Sequence, residues 1–263
     1  MQTYDFIIVG AGSAGCVLAN RLSESGRFSV LVLEAGGSDR NFWVRMPIGY
    51  GKTFYHPKLN WRYTSEPSPG LAKRESYVPR GKVLGGSSAI NAMVFIRGQQ
   101  EDFDAWDALG NPGWSWEDVL PAYRAMERNM AGADEYRGGN GPLAVTSIDG
   151  SEHPVCHDFI AACEAIGIPK SADFNGRTQE GAGLYQNTTQ NGVRASAASA
   201  FLRPAIGRTN LRVVTHAHAT RILFEGRKAV GVEYRQGGKV LTARAGREVI
   251  LSAGAISSPH LLQ

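Results

Sequence analysis

An unbroken apolar run from Phe6 to Val9 opens the chain, and a run of this kind predicts a strand buried on both faces. It stops at Gly10-Ala-Gly12-Ser-Ala-Gly15, after which Cys16 to Leu22 reads as a helix. A second apolar run, Val30 to Leu33, ends on the acid Glu34. From Asn41 to Val78 no period holds. That stretch contains four prolines and a set of aromatics (Phe42, Trp43, Phe54, Tyr55, Trp61, Tyr63), so it predicts a covering segment packed on the core. Glu101–Ala108 and Trp116–Arg128 carry helical periodicity, the second with Trp116, Val119, Leu120, Tyr123 and Met126 on one face. Met130–Gly141 reads as a surface loop, Leu143–Ser147 as a strand and His153–Ile166 as a helix stopped by Gly167 and Pro169. Ser171–Thr189 is irregular, and Ala195–Leu202 predicts a helix ending at Pro204. Beyond it come short β-rich runs at 211–215, 219–224, 229–234, 239–243 and 248–251. Turns at Glu225-Gly-Arg227 and Gln236-Gly-Gly238 make these an antiparallel meander that returns to a buried strand, Val249–Leu251.

Strand, glycine turn, helix, strand and acid, with Glu34 about 20 residues beyond the turn, form a dinucleotide fingerprint. Gly10 permits the tight turn, Gly12 lets backbone approach a pyrophosphate, and Gly15 lets helix and strand pack closely. Exposed N–H groups at the helix start suit phosphate. Glu34 suits the adenosine ribose hydroxyls, and its charge repels a 2′-phosphate. Gly85-Gly-Ser-Ser88, with Arg80 and Lys82 beside it, predicts a second anion cradle and a helix opening at Ala89. Ser252-Ala-Gly-Ala-Ile-Ser-Ser-Pro259 predicts another small-residue turn beside the first. The fingerprint alone leaves FAD and NAD both open.

Composition narrows the field. The chain has 263 residues, 43% of them apolar, enough for one large or two modest domains. Its net charge of +4 comes from scattered basic residues, which argues against nucleic acid as a partner. No run of 18 apolar residues predicts a transmembrane segment, and the polar start predicts a cytoplasmic protein. Three cysteines (Cys16, Cys156, Cys163) without a CxxC read as free thiols. His153 and His157 flank Cys156 at helical spacing but lack an acidic partner, so no metal site is expected. His216 and His218 are expected to share one face of a strand as ordinary surface histidines.

Four stretches together resemble the glucose–methanol–choline oxidoreductases, on the choline dehydrogenase-like and alcohol dehydrogenase branch. They are Gly10–Gly15 through Glu34-Ala-Gly36, Pro79–Gly98, Arg194-Ala-Ser-Ala-Ala-Ser-Ala-Phe-Leu202, and Ser252–Pro259. The resemblance covers essentially the whole chain. It implies an α/β fold: a doubly wound, Rossmann-like FAD-binding domain with a β-meander, from residues 1–40, 75–100 and 205–263. Residues 41–74 would cover it, and 101–204 would form a helical, substrate-side region.

The resemblance also implies FAD as cofactor. Gly10, Gly12, Ser13, Ala14, Gly15, Glu34 and Ala35 would hold its ADP half. Val83, Gly86 and Ser87 would line the pyrophosphate and flavin, and Asn91, Ala92, Met93 and Val94 would pass the flavin ring. Ala219, usually Val in the family, would meet the adenine by its backbone, and Gly254 would return toward the cofactor. Some choline-oxidising relatives attach FAD through a histidine just before the motif Asn. Here that residue is Ile90, so FAD is expected to be non-covalent. The implied reaction is oxidation of a primary alcohol by hydride transfer to FAD, with a quinone, dye or O2 as electron acceptor; some relatives associate peripherally with membranes. The family's catalytic histidine falls in a C-terminal half beyond residue 263, so no catalytic residue is assigned. An alcohol oxidase, a hydroxynitrile lyase that keeps FAD without redox chemistry, and an inert FAD-binding fragment stay open as alternatives.

Overall fold

The computed structural model describes residues 2–148 and 150–263; Met1 and Asp149 lie outside the described residues. Two compact units result, Met1–Ala92 with Ser196–Gln263, and Met93–Ala195.

The first unit is built on a six-stranded sheet. We label its strands β1 (Thr3–Val9), β2 (Val30–Leu33), β3 (Leu211–Val214), β4 (His218–Glu225), β5 (Lys228–Gln236) and β6 (Lys239–Leu251), with helix α1 (Ser13–Glu24) between β1 and β2. Their order is β3-β2-β1-β6-β5-β4. β3, β2, β1 and the end of β6 run parallel, while β6, β5 and β4 form an antiparallel meander. All four residues of β2 are 2% exposed or less, as a strand covered on both faces requires. The main core joins Ile7, Val9, Leu31 and Leu33 of the parallel part to Ile222, Val232 and Ala243 of the meander. The α/β class and the parallel sheet expected from the sequence are therefore present. On α1, Asn20 donates to Phe201 O at 2.7 Å, which ties the helix to the 196–205 segment.

Several boundaries differ from those expected. The two β runs at 239–243 and 248–251 are one continuous strand, because Ala245 is buried and Gly246 continues extended backbone. Val249–Leu251 are half-buried, not buried. Ser252–Pro259 is more than a turn: Gly254–Leu262 is helical, with Pro259 inside it. The helix expected to open at Ala89 is a single 3-10 turn, Gly86–Ala89, ended where Ile90 swings to φ −128°. Pro204 does not stop a helix. The 198–202 stretch runs directly into helical Arg203–Ala205, whose early position tolerates proline.

Aromatic packing organises the segment 41–78 in this unit. Phe54 meets Tyr55 and Tyr77 edge-on, and Tyr77 donates to Phe54 O at 2.7 Å. Cys16 is fully buried, donates to Ala11 O at 3.2 Å, and has its thiol pushed up to about 12 by burial. A thiol held protonated in this way is inert. With a disulfide reagent at pH 8, we expect Cys16 to label only after unfolding, by peptide mass analysis. Rapid labelling of the native protein at Cys16 would contradict its packing.

The second unit is held by the buried ion pair of Arg97 and Glu127. Glu127 also accepts from Asn129 Nδ2 at 2.8 Å, and Arg97 Nη1 donates to Tyr136 O at 2.7 Å. Residues 127–129 leave the expected helix Trp116–Arg128 early, at Met126, to form a parallel bridge with Leu143–Val145. That exit carries the Glu127 carboxylate inward to Arg97, and a charge pair so enclosed needs its extra hydrogen bonds.

Candidate functional site

Three loops of the first unit meet at one point. Gly10 turns at φ +95°, donating to Leu33 O at 2.8 Å. Ser252 Oγ donates to Gly10 O at 2.8 Å, and Gly85 N donates to Ala11 O at 2.8 Å. A Cβ at Gly86, itself at φ +54°, would come within 2.7 Å of Gly12 Cα. Backbone therefore approaches backbone where the fingerprint and the Gly-Gly-Ser-Ser loop face each other, and Gly86 admits no side chain. The N-cap of α1, Gly12, has no side-chain cap, and neither does the N-cap of the terminal helix Gly254–Leu262. Helix starts of this kind leave N–H groups for an anion.

Glu34 sits at the end of β2 with both carboxylate oxygens occupied by backbone. Oε2 accepts from Ala11 N at 2.9 Å and Oε1 from Gly36 N at 2.8 Å. It is the acid that holds the glycine turn to β2. Each oxygen retains a further lone pair for a hydroxyl. Burial raises its pKa above the ordinary value, opposed by the bonds from Gly36 and Ala11 and by the Lys82 charge.

Around this junction lies a cavity of about 870 Å³, of the size that takes an organic cofactor. Gly10, Gly12, Ser13, Ala14, Glu34, Ala35, Gly86, Ser87, Ala219 and Gly254 all line it. The remaining expected contacts do not. Gly15 packs beneath the turn, with no room for a Cβ against Gly10 O, and Val83 is fully buried beside Gly37. Asn91 and Ala92 are exposed in the first unit, while Met93, at φ +64°, and Val94 belong to the second.

The cavity also recruits residues whose role the sequence pattern hides. Trp61 lies parallel to Tyr63 at 5.8 Å, with Lys82 Nζ 4.4 Å from its ring centre. His218 tilts on Trp61 at 5.5 Å, and Tyr63 OH and Ser257 Oγ lie 3.0 Å apart. His218 and His216 do not share a strand face: His216 turns at φ +54° outside β4, whereas His218 begins β4 and lines the cavity. Burial, then Lys82, Arg235 and His260, lower the His218 pKa, which favours its neutral form. The aromatic spacing in 61–63 was the available signal, but it could not name the strand, some 150 residues on, that Trp61 would face. Among the described residues no cluster of metal-ligating side chains occurs.

The GMC oxidoreductase family profile matches residues 4–263. The chain belongs to the GMC oxidoreductases. An oxygen-dependent choline dehydrogenase of Photobacterium profundum is 46% identical over 262 residues, covering 99% of this chain and 46% of the relative. One from Rhizobium meliloti is 47% identical over 98% of this chain and 47% of its own length. Among solved structures, pyridoxine 4-oxidase from Mesorbium loti superposes with a TM-score of 0.94 at 33% identity, over 98% of this chain and 51% of its own. An FAD-dependent oxidoreductase from Chaetomium thermophilum gives 0.90 at 32% identity, over 98% and 47%. This GMC chain thus spans about half the length of the relatives it matches. GMC oxidoreductases are FAD-binding flavoproteins. No helix of the described residues is long and apolar enough to cross a membrane.

Proposed function

We propose that this chain is the FAD-holding half of an oxidoreductase that oxidises the CH–OH group of a primary alcohol, choline or an aliphatic or aromatic alcohol. The observation that carries the reading is the convergence of the loops at Gly10, Gly86 and Ser252 with the Glu34 carboxylate on one cavity. The residues fit the cofactor. Gly12 lines the cavity bare, where a Cβ would meet no atom closer than 3.8 Å and would take up cavity space, Gly10 and Gly86 let the loops close to backbone contact, and α1 offers uncapped N–H groups for the pyrophosphate. Glu34 offers acceptors to the ribose, and Trp61 offers an aromatic face to the adenine. Asn91, Ala92, Met93 and Val94 are assigned to the flavin ring by the family pattern. FAD, when bound, supplies the hydride acceptor. The chain's own residues bind and orient it; the base that takes the alcohol proton is assigned to the half outside this chain.

Flavin absorbance of the purified chain tests this reading. Acid precipitation should release all of the FAD, because Ile90 is a buried aliphatic side chain with nothing to bond the flavin. Yellow protein in the pellet would contradict non-covalent binding, and a colourless preparation that takes up no added FAD would favour an inert fragment. In the protein carrying both halves, dye reduction without oxygen uptake marks a dehydrogenase, and the reverse an oxidase. Alcohol that fails to bleach the flavin band would point to a lyase.

Trp61 provides a finer test. Base stacking on an aromatic ring contributes about 1–3 kcal/mol, and a half-buried ring belongs at the low end. Trp61→Ala should weaken FAD binding about fivefold to tenfold in a flavin fluorescence titration. Unchanged affinity would remove Trp61 from the site.

A further inference from the structure

In the second unit a thioether serves as a hydrogen-bond acceptor. Residues 127–129 pair in parallel with Leu143–Val145, the pairing that turns Glu127 inward to Arg97, and Met130 fastens its end twice. Met130 N donates to Val145 O at 3.0 Å, and Met130 Sδ accepts from Ser147 N at 3.0 Å. Peptide groups alternate along a strand, so Thr146 faces the other way. Its N–H donates to Asn187 O at 2.9 Å, and its carbonyl accepts from Asn187 N at 2.8 Å. The stretch Val145–Ser147 is thus gripped from both edges. A thioether is a weak acceptor, which makes the Met130 Sδ contact the weak member of that grip.

Met130 is also the methionine most open to solvent among the described residues. It is 66% exposed, whereas Met46 and Met126 are half-buried and Met93 is buried. A thioether needs no deprotonation to react, so access of the oxidant to sulfur decides which methionine is oxidised.

We infer that Met130 is a reversible oxidation site, at which hydrogen peroxide converts the thioether to a sulfoxide that holds Ser147 more tightly. Sδ attacks one peroxide oxygen, the O–O bond breaks, and the other oxygen leaves as water with both hydrogens. Sulfur gives up two electrons, peroxide takes them, and every bond of the protein is kept. The sulfoxide oxygen is a polar acceptor where the sulfur was a weak one. The unbranched, exposed side chain can draw back and seat that oxygen against the Ser147 N–H. A methionine sulfoxide reductase reverses the step. Only the second unit and added peroxide enter this inference, so it stands or falls separately from the cofactor reading.

The test treats the native chain briefly with hydrogen peroxide and maps the products by peptide mass analysis. Met130 should be oxidised about tenfold or more faster than Met93, and ahead of Met46 and Met126. In the oxidised chain the Ser147 amide, followed by NMR hydrogen exchange, should exchange about fivefold more slowly, the worth of one net hydrogen bond. Methionine sulfoxide reductase should restore the original rate. Met130→Gln supplies an amide oxygen at similar reach and should slow Ser147 without peroxide. Met130→Leu removes the acceptor, so exchange should quicken and peroxide should no longer change it. Oxidation of Met46 or Met126 as fast as that of Met130 would overturn the inference. So would Ser147 exchange that is unchanged or faster in the sulfoxide form, or a Gln variant that behaves like the Leu variant.

Discussion

Gly15→Ala is expected to lower the stability of the first unit by about 3 kcal/mol and to abolish FAD retention, because a methyl group there has nowhere to go. An ideal Cβ at Gly15 lies 1.9 Å from Gly10 O and 2.8 Å from Ser252 Oγ. The nearer neighbour is backbone and cannot yield, and the second can turn away only by giving up its hydrogen bond. Gly10 O is the carbonyl of the turn itself, and Ser252 Oγ donates to it at 2.8 Å. Overpacking in a rigid core costs about 1–3 kcal/mol, and overlap with backbone belongs at the upper limit. For a unit of this size, that corresponds to a fall of about 6–12 °C in thermal midpoint. Relief would require α1 to move away from β1, which separates Gly12 from Gly86 and opens the phosphate cradle. Gly26→Ala is the control, since a Cβ at that surface turn meets nothing within 4 Å although its φ is positive. It should cost about 1–2 kcal/mol of local backbone strain and leave FAD bound. Equal effects of the two substitutions would refute the close-packing account of Gly15.

What could be read in the sequence follows the range of the interactions. β1, the glycine turn, α1, β2 and Glu34 are encoded within some thirty consecutive residues, and each has a local cause that a pattern reveals. Val30–Leu33 comes out at the bounds expected. The partner loops were legible as small-residue turns, but their meeting was not. Gly86 packs on Gly12 and Ser252 on Gly10 through backbone, which leaves no side-chain period to detect. The terminal helix was hidden because Ser257, Ser258 and Pro259 are poor helix formers. Ser258 Oγ accepts from Ala253 N at 3.0 Å and helps close its first turn. The Trp116 helix ended early for a tertiary reason, the demand of Arg97 for Glu127. The sequence pattern puts Trp61 in a cover and His218 on the surface, because their shared cavity joins positions far apart in the chain.

Glu34→Gln should lower FAD affinity about tenfold to a hundredfold, the worth of one hydrogen bond to a charged acceptor, about 1.5–3 kcal/mol. The substitution keeps the size of the side chain but turns an amide N–H2 toward either Ala11 N or Gly36 N, both of which need an acceptor. The glycine turn then loses one of its two ties to β2, and the ribose loses the anionic acceptor. The same variant isolates a pH effect. Burial raises the folded pKa of Glu34 above its ordinary 4.5, so the folded flavin-free chain holds that proton at pH values where the unfolded chain has released it. The resulting stability is fully present below the ordinary value and is lost as pH rises through the raised one. Asp5 and Asp134 have lowered values and act in the opposite sense, and so does His218, but all three are common to both proteins. In the difference between wild type and Glu34→Gln they cancel. The wild-type thermal midpoint, measured relative to the variant, should therefore climb as pH falls from 8 toward 5. Bound FAD should flatten that climb, because a ribose donating to Glu34 stabilises the carboxylate. A difference that stays constant with pH in the flavin-free chain would mean that Glu34 is ionised at no cost. The dry, backbone-capped position assigned to it at the end of β2 would then be wrong.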